Sequence, residues 1–154
     1  MIGEVITATR DHAIDMAPRM RPADCMEVYA ASLQSPLCAL DYGVCWSTLA
    51  WSWVVDGKIA CMWGVGGING SMLDRTGIPW LLSTDIVEQH QKTFLRNYRP
   101  YLARMLTVHP VLENYVDARY ETAIRWLRWL GFTISDPGAF GVEGQLFSHI
   151  ELKG

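Results

Sequence analysis

Charge is scarce in this sequence. Charged residues make up only 19% of its 154 residues, with 16 Asp and Glu against 13 Lys and Arg. A net charge of −3 gives no field strong enough to gather nucleic acid or an anionic membrane surface, so neither is expected as a partner. No apolar run approaches the roughly 20 residues that span a bilayer. The four cysteines, Cys25, Cys38, Cys45 and Cys61, fall at spacings that fit no zinc or redox motif. Met1-Ile-Gly-Glu-Val5 lacks the basic start and apolar run of a secretory signal. The thiols are therefore expected to be reduced, buried and inert in a cytoplasm. His12, His109 and His149 have no Cys or carboxylate partner at ligand spacing, so no metal is expected. No nucleophile elbow is present to suggest Ser-His-Asp chemistry. Repeats and linkers are missing too, which predicts a single domain over 1–154.

Apolar residues and tryptophan are plentiful: half the chain is hydrophobic and seven residues are Trp. The most legible stretch runs from Val111 to Phe132. Val111-Leu-Glu-Asn-Tyr-Val116 alternates loosely, as a short strand does. Asp117 stands where a helix N-cap belongs. Tyr120, Ala123, Ile124, Leu127 and Leu130 then recur at helical spacing, giving one apolar stripe. Gly131 suits the left-handed turn that ends a helix, and Phe132 can pack back on it. Arg119, Arg125 and Arg128 read as a solvated face or a site for an acidic partner.

Elsewhere the signals are of uneven strength. Glu4–Thr9 reads as a strand, Arg10–Met20 as a weak helix disturbed by Pro18, and 23–32 as a good helix led by Pro22. Met26, Tyr29, Ala30 and Leu33 are its predicted inner face. Ser35-Pro36 reads as a break, with a loop or short helical turn over 37–43. Cys45–Val55 and Lys58–Val65 form a predicted hairpin about Asp56-Gly57. Gly64, Gly66, Gly67 and Gly70 punctuate its exit and read as a loop, since no helix pattern opens behind them to form a phosphate cradle. Trp46, Trp51, Trp53 and Trp63 fall on this hairpin, either as core or as an apolar patch for a partner. Ile78–Ser83 is a predicted strand. Gln89–Leu106 is a helix that Pro100 should kink or divide, and Gln145–Leu152 is the last strand. This order predicts an α/β fold, a mixed sheet with helices on both faces.

Tyr120-Glu-Thr-Ala-Ile-Arg-Trp-Leu-Arg-Trp-Leu-Gly-Phe132 resembles the last helix of the GNAT superfamily of N-acetyltransferases, and the order of elements along the chain resembles it as well. The resemblance implies a GNAT-like, mostly antiparallel sheet and acetyl-CoA as a possible cofactor. Trp80-Leu-Leu-Ser-Thr-Asp85, Leu112-Glu-Asn-Tyr-Val-Asp117 and Ile124–Phe132 are similar to the small acyltransferase-like, internal-virion family of short-tailed bacteriophages. That implies a role in virion morphogenesis or host takeover, with a virion or host protein as partner, in the host cytoplasm or associated with the virion.

Departures from the enzyme pattern bear on the chemistry. GNAT enzymes place Arg/Gln-x-x-Gly-x-Gly/Ala after the fourth strand, where glycine lets backbone N–H groups meet a pyrophosphate. The matching segment, Gln89-His-Gln-Lys-Thr-Phe94, has no glycine. Thr84, Gln89, His90, Gln91, Lys92 and Thr93 are the candidate cofactor residues, His90 equally a solvated first-turn residue. Leu127 stands where many members carry a proton-donating Tyr, and Tyr120 stands where they carry Asn. Asp85 and Glu88 are the candidate catalytic bases, with a turn or N-cap carboxylate as the plainer reading of Asp85. The sequence thus supports a GNAT-fold binding protein with a degenerate acetyl-CoA loop, or an active N-acetyltransferase with an unusual one.

Overall fold

The computed structural model describes residues 2–154. Its strands are β1 (Glu4–Thr7), β2 (Leu49–Val55), β3 (Lys58–Gly67), β4 (Thr76–Ser83), β5 (Val111–Asp117), β6 (Thr133–Ile134), β7 (Gly138–Ala139) and β8 (Leu146–Lys153). They form one mixed sheet in the order β1-β2-β3-β4-β5-β8-β6, with β7 beside β8. Every pairing is antiparallel except β4 with β5. The helices are α1 (Arg10–Met16), α2 (Pro22–Ser32), α3 (Pro36–Trp46), α4 (Asp85–Gln89), α5 (Gln91–Val108) and α6 (Glu121–Leu130). This is the α/β architecture that the order of elements predicts.

Alternation along the strands sends side chains to two cores. Trp51, Trp53, Cys61, Trp63 and Val65 point to the face covered by α5 and α6, where Phe94, Tyr98, Leu102 and Met105 meet them. Ile59, Met62 and Leu82 point to the other face, against Ala13, Met16 and Leu40 of α1 and α3. The hairpin turns at Asp56 and Gly57, both at positive φ (50° and 74°), a pair of conformations that matches the right-handed twist of the strands. Gly131, at φ 101°, ends α6 as its sequence predicts.

Several expectations are corrected. Trp51, Trp53 and Trp63 are core residues, at most 7% exposed, so the hairpin carries no tryptophan patch. Trp46 is not on the hairpin at all. Ser35 accepts the Cys38 amide as an N-cap and Pro36 occupies the first helical position, so α3 runs from Pro36 through Trp46. Gly64, Gly66 and Gly67 lie within β3 rather than in a loop. A Cβ at Gly66 would enter the Trp46 ring, so glycine there is required by close helix–strand approach. The break near the start of the long helix falls at His90, not at Pro100, which α5 carries without interruption. Arg96 and Pro100 are both exposed, so the carbonyl freed by the proline can be hydrated. Cys38 and Cys45 are exposed; only Cys61 is fully buried, and burial pushes its thiol up.

Two further corrections bear on the site. Asp117 is not the cap of α6 but the last residue of β5; its carboxylate is held by Arg119, and the helix begins only at Glu121. The predicted stripe of α6 does face the core: Ala123, Ile124, Leu127 and Leu130 pack part-buried on it, with Trp126 between them the most buried. On α2 the predicted inner residues Met26, Tyr29 and Leu33 are exposed, each above 50%, while Asp24 and Ala30 are buried.

Replacing Gly66 with Ala should cost about 1–3 kcal/mol, because either the strand or the Trp46 ring must move. Gly57→Ala, at a turn where nothing crowds the missing Cβ, should cost less. Denaturant melts that rank the two the other way would refute this account of α3 against β3.

Candidate active site

β4 and β5 pair at only Thr76↔Val111 and Gly77↔Leu112. Beyond those two registers the strands part, and their facing backbone groups need other partners. Asn114 Nδ2 donates to the Pro79 carbonyl at 2.7 Å across the gap. Pro79 itself has no N–H to leave unpaired. At the far end α2 lies across both strand termini. The Arg21 amide donates to the Ser83 carbonyl at 2.9 Å, and Asp24 Oδ2 accepts the Ser83 amide at 2.8 Å. One turn on, Glu27 Oε2 accepts the Asp117 amide at 2.9 Å.

The parting opens a cavity of about 940 Å³ with walls on both faces of the sheet. On the α5/α6 side it is lined by Leu95, Tyr98, Ala123, Trp126, Leu127 and Leu130. On the α2/α3 side lie Tyr42, Trp46, Trp80, Tyr115 and Phe140. Arg21, Asp24, Glu27 and Tyr120 meet at the gap between them.

These four residues are electrostatically linked. Arg21, only 2% exposed, is paired with Asp24 at 3.3 Å and reaches Glu88 Oε1 at 3.5 Å. Its guanidinium also lies 5.5 Å from the Tyr120 ring centroid and 5.1 Å from that of Trp126, within cation–π range. Burial alone would weaken its hold on a proton, but the neighbouring Asp24 charge more than restores it. Burial pushes the Asp24 carboxyl up, while Arg21 and the Ser83 amide pull it back. Burial also raises Glu27, to about 7, with the Asp117 amide opposing and the charges of Asp24 and Asp117 adding to the rise. The Glu27 residue keeps some exposure because it borders the cavity, but its carboxyl is surrounded by protein. The Tyr120 hydroxyl is buried without a hydrogen-bond partner among the described residues. Burial, and then the Asp24 charge, keep it protonated.

A central strand pair that opens into a wedge, with helices on both faces, invites comparison with known structures. No known family's sequence pattern matches the chain, and no curated protein matches it in sequence. Solved structures do. A GNAT superfamily phosphinothricin acetyltransferase from Sinorhizobium meliloti, solved in complex with acetyl-CoA, superposes with a TM-score of 0.72. The match covers 99% of this chain and 89% of that one at 11% identity. The ribosomal-protein-S18-alanine N-acetyltransferase from Escherichia coli gives 0.64 over 97% and 92% of the two chains, at 14% identity. An acetyltransferase of the GNAT family from Streptococcus pneumoniae gives 0.61 over 97% and 98%, at 11%. This chain has the GNAT acetyltransferase fold.

The sequence-predicted residues lie at one end of that GNAT fold and outside the cavity. Thr84 is buried; both its amide and its hydroxyl donate to the Ala60 carbonyl, at 3.0 and 2.7 Å. Asp85 opens α4 and is exposed. Glu88 touches the site only through Arg21. Gln89 and His90 form the join between α4 and α5, and Gln91, Lys92 and Thr93 are the first turn of α5. Gln91 accepts from a cavity residue, Trp126, whose Nε1 lies at 3.4 Å. Sequence reasoning missed Asp24, Glu27 and Tyr120 as a group. The available signal was that Asp24, Glu27, Val28 and Ala31 share one helix face. Among the described residues, no group of three or more His, Cys, Asp or Glu is placed to hold a metal ion. No helix among the described residues is long and apolar enough to cross a membrane.

The Glu27 geometry makes stability depend on pH. Its carboxyl keeps a proton up to about 7 in the folded chain, against 4.5 ordinarily. Between those values the folded state holds more protons than the unfolded, so stability falls as pH rises through the window. Glu27→Gln removes this dependence while Asp24, Asp117 and Arg21 remain. The wild-type melting temperature should therefore fall relative to E27Q from pH 4.5 to about 7. A constant gap between the two across that range would show that Glu27 does not titrate there.

Proposed function

We propose that this chain is an N-acyltransferase that moves an acyl group from a coenzyme A thioester to an amine at the parting of β4 and β5. The observation that carries the reading is a carboxyl raised to about 7 and a buried, protonated phenol, Glu27 and Tyr120, lining one cavity. A base works best with a pKa near the working pH, and Glu27 meets that condition. Its carboxylate is suited to take the proton that an attacking ammonium must lose. Tyr120 Oη keeps its proton beside the Asp24 carboxylate and borders the cavity, so it is suited to give one to a departing sulfur. Arg21 fixes Asp24 and lies beside the Tyr120 ring, which orients the donor.

The apolar α5/α6 wall, with Leu95 and Leu127, fits an acyl arm threaded through the gap. A bound thioester supplies the activated carbonyl carbon. Its nucleotide end would rest on Gln89–Thr93, where α5 starts afresh and Lys92 adds positive charge. Without glycine the backbone there is screened by side chains, so the nucleotide should be held weakly.

The test is thiol release from acetyl-CoA in the presence of amines. Glu27→Gln should lower kcat/KM by about 10²-fold or more and flatten its rise with pH through neutrality. Tyr120→Phe should lower kcat with little change in KM. Calorimetry should give acetyl-CoA a dissociation constant weaker than low micromolar. Neither heat nor thiol release with any amine would sink the reading.

A second reading draws support from the glycine-free Gln89–Phe94 segment and from the exposed Met26, Tyr29 and Leu33 on α2. In it the chain is a phage protein that has lost acetyl-CoA catalysis and acts in the host cytoplasm by binding a virion or host protein during assembly. Serine at those three positions should then abolish co-purification with virion particles, whereas E27Q should leave it intact.

A further inference from the structure

The α2/α3 half of the cavity has a composition that specifies its ligand more narrowly than acyl transfer requires. Its walls are aromatic and come from separate elements: Tyr42 and Trp46 from α3, Trp80 from β4, Tyr115 from β5 and Phe140 from the segment after β7. The planes are fixed in pairs. Tyr115 and Phe140 stack with centroids 3.9 Å apart and an interplanar angle of 13°. Tyr42 and Trp46 stack at 5.8 Å and 17°. Trp80 is anchored by its Nε1, which donates to Ser47 Oγ at 2.7 Å. Glycine makes room for both indoles, since a Cβ at Gly43 would meet the Trp80 ring and one at Gly66 the Trp46 ring.

Charge at the floor is one-sided. Asp24 and Glu27 both border the cavity, and Arg21 is the one Lys, Arg or His among its lining residues. That guanidinium is 2% exposed and already engaged by Asp24, Glu88 and the two aromatic rings over it. A ligand carboxylate would find no free cation, since Arg21 and Asp24 are buried against each other, and would face the Glu27 carboxyl, an arrangement that rejects it. An amine finds the reverse: the Glu27 carboxyl at its head, ring faces along its body and cation–π attraction on the way in.

Resting on the acyl-transfer reading for what happens next, we infer that this half of the cavity is a subsite for a primary amine borne on an aromatic or bulky apolar body without a carboxylate. Amino acids with the same side chain are excluded by the missing counter-cation, and polyamines by the lack of further acidic groups along the aromatic walls.

Binding is measured first by calorimetry with no acyl donor present, using tryptamine and 2-phenylethylamine against tryptophan, phenylalanine and spermidine. The two arylalkylamines should bind about tenfold tighter than the other three. Phe140→Leu and Tyr115→Leu, at side chains 45% and 41% exposed and so safe for folding, should weaken them by about three- to tenfold. Leu73→Ala, at a residue 89% exposed and off the cavity, should change nothing. Equal or tighter binding of the amino acids or spermidine, or no binding of either arylalkylamine, overturns the subsite. Thiol release from acetyl-CoA with the same compounds keeps the two claims apart. Arylalkylamine binding without release sinks the acyl-transfer reading and leaves the subsite standing. Release with tryptophan or spermidine, and none with the arylalkylamines, does the opposite.

Discussion

A pair of parallel strands that separates inside a sheet leaves amides and carbonyls with no partner, and buried backbone groups rarely go unpaired. The rest of this structure is arranged around that constraint. Past Gly77 and Leu112, β4 and β5 have no ladder between them. Proline at position 79 removes one donor from the open edge, and Asn114 serves the carbonyl of the same residue. The two strand ends are then closed by side chains of α2, Asp24 for the Ser83 amide and Glu27 for the Asp117 amide. A helix carrying two carboxylates one turn apart thus supplies acceptors for the amides at both strand ends of the wedge.

The same solution shifts the ionisation of the site. Carboxylates that reach buried amides must themselves leave water, and the ionised form is the one that suffers. Both carboxyls rise: Asp24 despite Arg21 and the Ser83 amide, and Glu27 despite the Asp117 amide, with two acidic neighbours adding to its rise. A structural hydrogen bond and a base poised near neutrality are one side chain seen from two sides. Perturbed ionisation in a cleft is a mark of function rather than of packing alone. Here both descriptions apply, because the cleft and the perturbation share a cause.

That cause also explains what the sequence disclosed and what it hid. The end of α6 was legible because Gly131 and the apolar repeat before it both state local preferences. Its start was not: Asp117 has the right side chain for a cap, but its backbone stays extended in β5 and Arg119 takes the carboxylate. Ser35-Pro36 reads as a break, but the same pair starts α3, because the Ser35 side chain takes the Cys38 amide. On α2 the hydrophobic pattern assigned Met26, Tyr29 and Leu33 to the interior, by the rule that charges face water. The rule fails where backbone donors are waiting inside, so the residues that make the site are the ones that the pattern sends outward. Candidate residues after β4 followed the resemblance instead, and they lie where a nucleotide would be held rather than where a proton would move.

The division of the cavity follows from the sheet itself. Because the gap lies between two strands, side chains from both faces border one space, and a ligand on each side can reach the other without crossing a wall. The α5/α6 half is aliphatic and aromatic with the Tyr120 hydroxyl at its inner limit, while the α2/α3 half is aromatic over carboxylate. Glu27 and Tyr120 therefore stand at the seam, where the proposed acyl transfer would bring its two substrates together. The solved structures of this fold share only 10–14% identity with the chain. At that level the likeness is one of fold, and within this chain's fold the wedge sets a constraint of its own. Its demand for amide acceptors at the strand ends holds whatever residues supply them, and in this chain the suppliers are Asp24 and Glu27.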